Sequence, residues 1–212
     1  MSKCSCFKDR PYRNSVVRLA VMSQESLILV HETTQRMSLD PKRYPIGKFK
    51  APENITEHHI SVWTDVIETL PHKMREAVNG LTAEQLDSTY REDGWTLRQV
   101  VHHTADSHMN AYIRFKLALT EDNPTIRPYM EEKWADSIEA KYGQIEISLK
   151  ILEALHARWT MVLRNLNSHD WTRTYYHPDN KRTYRLDEAL GLYAWHSEHH
   201  VAHITMRRNS GW

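Results

Sequence analysis

Histidine is the residue type in this chain with the most chemical potential. There are 14 of them, and seven fall in two short stretches: His102, His103 and His108, then His196, His199, His200 and His203. Neutral imidazole is the commonest side-chain ligand for transition metals. On a helix, residues four apart share a face, with Cβ atoms about 5–6 Å apart. His196 and His200 have that relation, and so have His199 and His203. Either pair could chelate one ion, as two histidines do on an HExxH helix. The third ligand would come from a second helix, where His102 and His103 stand side by side and Asp106 lies one turn on. Spacing leaves both choices open. His196 and His200 continue a stripe from Leu186, Ala189 and Tyr193 to Ile204, but His199 and His203 also have apolar neighbours in Leu192, Trp195, Ala202 and Met206. His103 falls in line with Val100 and Ser107, and His102 sits nearer Gln99 and Asp106.

Three neutral imidazoles suit a borderline divalent ion such as Zn²⁺ or Ni²⁺ and leave at least one coordination position open. An open site lowers the pKa of bound water to roughly 7, and it equally holds a substrate thiolate. Ligating histidines need their second nitrogen oriented by a neighbour. Asp106 is the first candidate for that role, with His102, Ser107 and His203 behind it. Arg114, three turns along the His103 face, fits either a substrate carboxylate or an interhelical ion pair. His108 and His199 read as satisfied or solvent-facing polar residues. His58, His59, His72, His156 and His169 read as surface, and Trp95, Trp159 and Trp195 as core rather than substrate-stacking groups. Glu198 lies inside the histidine run but off the His196/His200 stripe, so the general base of an HExxH helix has no evident counterpart. That tilts the chemistry toward a thiol nucleophile.

The elements that must position these residues are helical. Ile60, Trp63, Val66, Ile67 and Leu70 recur at three- and four-residue steps from about Asn54, and Met74 and Val78 extend the stripe to Gly80, with Pro71 as a candidate interruption. A short helical turn is expected over 82–87. Thr96-Leu97-Arg98-Gln99 is a capping box that opens a helix running to about Thr120. A third long helix covers roughly 145–166 and a fourth roughly 186–208. Between them, 122–144 and 170–184 read as pocket-shaping connections, the second with room for a short hairpin. Four long amphipathic segments predict an all-α four-helix bundle, an architecture that builds metal sites between facing helices.

Composition narrows the function classes. The chain has 212 residues with 40% hydrophobic and 26% charged residues, an ordinary globular balance, and a formal charge of +1 that recruits neither nucleic acid nor an anionic membrane. No apolar run approaches the roughly 20 residues of a membrane span. Both cysteines, Cys4 and Cys6, precede the helical region, which suits a reducing cytoplasm. Residues 1–36 read as an extension to a 37–212 domain, with Met37 a candidate start; an ordered N-terminal arm is the alternative reading.

The stretches YPIGKFKAPE, YREDGWTLRQVVHHTADSHMNAYIRFKLALTE, PTIRPY, LHARWT, YYHPDNK and ALGLYAWHSEHHVAHI resemble the DinB/YfiT family. The likeness spans about Tyr44 to Trp212 and is densest with the YfiT branch. That branch is labelled metal-dependent hydrolase and includes bacillithiol S-transferases. The resemblance implies a DinB-like four-helix bundle with ligands His103, His196 and His200, a hydrolytic or thiol-transfer reaction on a small molecule, and a homodimer. A non-enzymatic metal-binding stress-response module is the alternative. Thr104 and Glu198 depart from the family pattern without removing a ligand.

Overall fold

The computed structural model describes residues 40–212. The readings for 1–36, including the Cys4-x-Cys6 pair, and for Met37 lie outside the described residues. The element order is α1 (Glu57–Val78), α2 (Ala83–Leu86), α3 (Leu97–Thr120), α4 (Glu131–Ala135), α5 (Ile138–Tyr142), α6 (Ile145–Leu163), α7 (Ser168–Trp171), β1 (Thr174–His177), β2 (Arg182–Arg185) and α8 (Leu186–Asn209). No helix among the described residues is long and apolar enough to cross a membrane.

α1, α3, α6 and α8 form the bundle. α1 packs against α6 and α8, and α3 packs against the same two. The consecutive helices α1 and α3 therefore sit diagonally, as do α6 and α8. α3 starts as the capping box requires: Thr96 Oγ1 accepts from Gln99 N, and Gln99 Oε1 accepts from Thr96 N. The Gln99 amide also donates to Ala135 O, which clips α4 onto α3. α4 and α5 are absent from the sequence reading. Each is only five residues long, too short for a 3.6-residue period to register.

α1 runs unbroken through Pro71. Proline has no N–H, so the carbonyl four residues earlier loses its intrahelical donor. That carbonyl belongs to Ile67, and the His156 Nδ1 on α6 lies in hydrogen-bond contact with it. This explains why His156 is buried, at 1% exposure, and not on the surface as the sequence suggests. α8 comes equally close to α1 at Gly191, where an added Cβ would meet the Trp63 ring at 2.8 Å.

The apolar core has two parts. One, around Leu70, Met74, Trp95, Val100, Leu152 and Ile204, fills one end of the bundle. The other, around Ile67, Phe115, Trp159, Leu190 and Tyr193, fills the other. In α8 the four histidines fall between the residues given to each part, as His108 does in α3, so a polar layer crosses the middle of the bundle. The β1/β2 hairpin, paired from Thr174–Arg185 to His177–Arg182, covers one side. Its Tyr176 exchanges backbone bonds with Pro124 and Ile126, which fixes the 122–129 loop.

Candidate metal centre

The structure brings His103 of α3 together with His196 and His200 of α8. One ring nitrogen from each lies within 4.8 Å of the others, and all three side chains are buried. Of the alternatives that spacing leaves open, these three are the ones the fold brings together. His102 turns away to α6, where its Nδ1 meets Ser148 Oγ at 2.7 Å and its Nε2 meets Gly143 O at 3.3 Å. His199 stacks on Trp195 at 4.4 Å.

The donor set fits a metal ion. The Nε2 atoms of His196 and His200 are 3.1 Å apart. Two imidazole nitrogens on one tetrahedral zinc, each about 2.0–2.1 Å from it, lie about 3.3–3.4 Å apart. His103 Nε2 is buried and has no hydrogen-bond partner among the described residues. A nitrogen lone pair so placed is costly unless something accepts it.

On the His200 side the hydrogen-bond network fixes which nitrogens are bare, an assignment made from acceptor chemistry. His203 Nε2 lies 3.2 Å from Arg43 O. A carbonyl only accepts, so this nitrogen carries the proton and His203 Nδ1 is bare. His203 Nδ1 then accepts from His200 Nδ1 at 3.4 Å, which leaves His200 Nε2 bare and facing the site. On the other side, His196 Nδ1 lies 3.2 Å from His108 Nε2. A proton on His196 Nδ1, donated to His108, frees His196 Nε2 in the same way. His108 stacks on His156 at 5.0 Å, so the side chain that repairs α1 at Pro71 also backs the partner of a candidate ligand.

Electrostatics keep the whole layer neutral. Burial holds His103 at about 3, and any proton on neighbouring His203 would oppose its protonation further. Burial also holds His203 at about 4, and drives His108, His196 and His200 well below the ordinary histidine range. Neutral imidazoles are the form that ligates metals.

The orienting partners differ from those the sequence suggests. His108, not Asp106, meets His196. The Asp106 carboxyl is half-buried and pushed up to about 6, first by burial and then by Glu139, and it bonds none of the three histidines. Ser107 Oγ lies 3.5 Å from His196 Nε2, at the edge of the cluster, and His203 backs His200 as expected. Glu198 points outward and pairs with Lys73 at 2.6 Å. Arg114 donates to Tyr193 Oη at 2.8 Å and makes no interhelical ion pair among the described residues. His108 and His156 were missed because their partners are on other helices. The one sequence signal for His156 was Pro71, which announces an unpaired carbonyl without saying what meets it.

A bundle with a buried three-histidine cluster shared by two helices defines a class of metal-site protein. Residues 66–204 match the sequence profile of the DinB superfamily, and the chain belongs to that family. Among its relatives is "Putative metal-dependent hydrolase YfiT" of Bacillus subtilis (strain 168), 51% identical over 170 residues, which are 80% of this chain and 96% of that protein. A Bacillus cereus (strain AH820) relative with the same designation, "Putative metal-dependent hydrolase BCAH820_2714", is 53% identical over 171 residues, 80% of this chain and 98% of its own. The solved structure of Bacillus subtilis YfiT, described as having an unusual four-helix bundle topology, superposes with a TM-score of 0.79 at 50% identity, covering 81% of this chain and 99% of that one.

Proposed function

We propose that the chain is a metal-dependent enzyme in which His103, His196 and His200 hold one divalent ion, zinc or nickel, and leave room for a nucleophile beside it. The observation that carries this reading is the convergence of three buried imidazole nitrogens, with no fourth protein ligand in the group among the described residues. A structural zinc site would be closed by four protein ligands. Bound there, the ion supplies a Lewis-acid centre that stabilises the anionic form of the nucleophile.

The chain's own residues do the rest. His108 and His203 set the tautomers of His196 and His200 and hold both rings. Trp95 packs against His103 at 4.6 Å and shields that side from water. No carboxylate among the described residues joins the histidine group, and Glu198 is engaged with Lys73. Hydrolysis at HExxH-type sites relies on such a carboxylate as general base, whereas a metal-bound thiolate attacks without one. This favours transfer of a low-molecular-weight thiol such as bacillithiol to an electrophilic small molecule over hydrolysis. The designation of the relatives supports the hydrolytic version.

Metal-loaded protein assayed with bacillithiol and a chlorinated aromatic acceptor, beside an ester panel, separates the versions. Conjugate formation supports thiol transfer, and ester turnover without conjugate overturns it in favour of hydrolysis. Metal retained with no turnover in either assay identifies a non-enzymatic metal-binding module.

A further inference from the structure

Arg114 carries a buried charge with no ion-pair partner among the described residues. It sits on α3 at 6% exposure. Its one bonded partner is the Tyr193 hydroxyl, and no carboxylate among the described residues lies within ion-pair distance. The surrounding phenols do not supply the missing charge, since burial pushes Tyr129, Tyr175 and Tyr193 upward and keeps them neutral. A buried cation without an anion is strongly disfavoured unless it keeps contact with water or meets a ligand. Arg114 meets a small cleft of about 30 Å³, lined also by Pro128, Tyr129, Glu131, His177, Asp179 and Asn180. Tyr129 adds a buried hydroxyl without a well-formed hydrogen bond, with the Ser107 hydroxyl as its polar neighbour.

Arg114 lies on the same face of α3 as Ser107, which borders the histidine cluster. Ser107, 3.5 Å from His196 Nε2, lies seven residues before Arg114 on α3, which is about 10 Å along the helix axis. Helical side chains lean toward the N-terminus, so the guanidinium reaches back toward the cluster. On α8, Tyr193 is three residues before His196 and holds the Arg114 fork in place.

We infer that Arg114, with the Tyr129 hydroxyl, forms an anion subsite that takes the carboxylate of a substrate whose reacting atom lies at the three-histidine centre. A planar guanidinium presents paired N–H groups that match a carboxylate, and with one arm spent on Tyr193 it retains enough donors for both oxygens. Glu131 and Asp179 also line the cleft, without an ion pair to Arg114. They are more exposed than Arg114, so water and salt weaken their repulsion of an incoming anion. The substrate class is therefore a small molecule with a carboxylate on the order of 10 Å from its reacting group. This inference rests on the proposed function for the reaction, but the subsite itself is testable without metal.

Two measurements test it. In metal-free protein labelled with ¹⁵N-arginine, adipate should shift the Arg114 side-chain resonance saturably, and the dimethyl ester of adipate should not. Arg114→Lys assigns that resonance by removing it. In zinc-loaded protein, suberic acid monohydroxamate should bind at least about tenfold more tightly than its methyl ester, the effect of one or two charge-assisted hydrogen bonds. That preference should fall to within about twofold in Arg114→Gln and recover partly in Arg114→Lys, both at wild-type zinc content. An unmoved Arg114 resonance, or equal affinity of wild type for the acid and its ester, overturns the subsite. Failure to load zinc while the adipate shift persists overturns only the metal reading. The wild-type comparisons decide the matter even if Arg114→Gln does not fold.

Discussion

The contact between His156 and Ile67 O makes a quantitative prediction about how the bundle holds its site. Pro71 deprives the Ile67 carbonyl of its intrahelical donor, and His156 Nδ1 replaces it from α6. His156→Leu keeps an apolar side chain of comparable size, so the cavity contribution is small. What it removes is the side-chain donor to a buried carbonyl, at a cost of about 1–3 kcal/mol. Pro71→Ala restores a backbone N–H that can reach Ile67 O along the helix. In the Pro71→Ala background, His156→Leu should therefore be milder by about 1–2 kcal/mol. The assay is urea unfolding of metal-free protein followed by far-UV circular dichroism, for wild type, both single variants and the double variant. Coupling below about 0.5 kcal/mol, the level expected of independent sites, would refute the assignment of His156 as the substitute donor.

Further outcomes follow from the same geometry. His108→Leu removes the acceptor for His196 Nδ1 and should weaken zinc binding about 10–100-fold by chelator competition, while His102→Leu should keep wild-type zinc affinity and lose stability instead. Burial lowers His156 to about 4; a depressed folded pKa gives stability that is full above the unfolded value near 6.5 and lost as pH falls toward 4. The unfolding free energy of metal-free His156→Leu should accordingly vary less over that window than wild type, by equilibrium unfolding at a series of pH values. Zinc at about a hundred times its Kd should raise the unfolding free energy by about 2.7 kcal/mol in wild type and leave His103→Ala unchanged.

The legible parts of this protein were those written into local sequence. Thr96 and Gln99 announce the start of α3 because a capping box closes within four residues. The apolar stripe of α1 is readable across Pro71 because the period does not break. The diagonal placement of α1 and α3 was not readable, since no local pattern says which helices become neighbours. The site followed the same division. Helical spacing identified pairs of histidines able to share an ion, and the family resemblance selected His103, His196 and His200. Only the packing of α3 against α8 and α6 shows His102 tied to Ser148 and Gly143. His108 was passed over because its value depends on the distance to His196, 88 residues away in sequence. Arg114 looked equally suited to an ion pair until the fold left it without a carboxylate among the described residues.

The central claim is that His103, His196 and His200 together hold one divalent ion. Metal content per chain, measured by plasma mass spectrometry after zinc loading and desalting, tests it most directly on wild type beside His103→Ala, His196→Ala, His200→Ala and the control His199→Ala. About one ion per chain is expected in wild type and His199→Ala, with a large loss in each of the other three. Equal metal content in all five proteins, with each folded by circular dichroism, would contradict it.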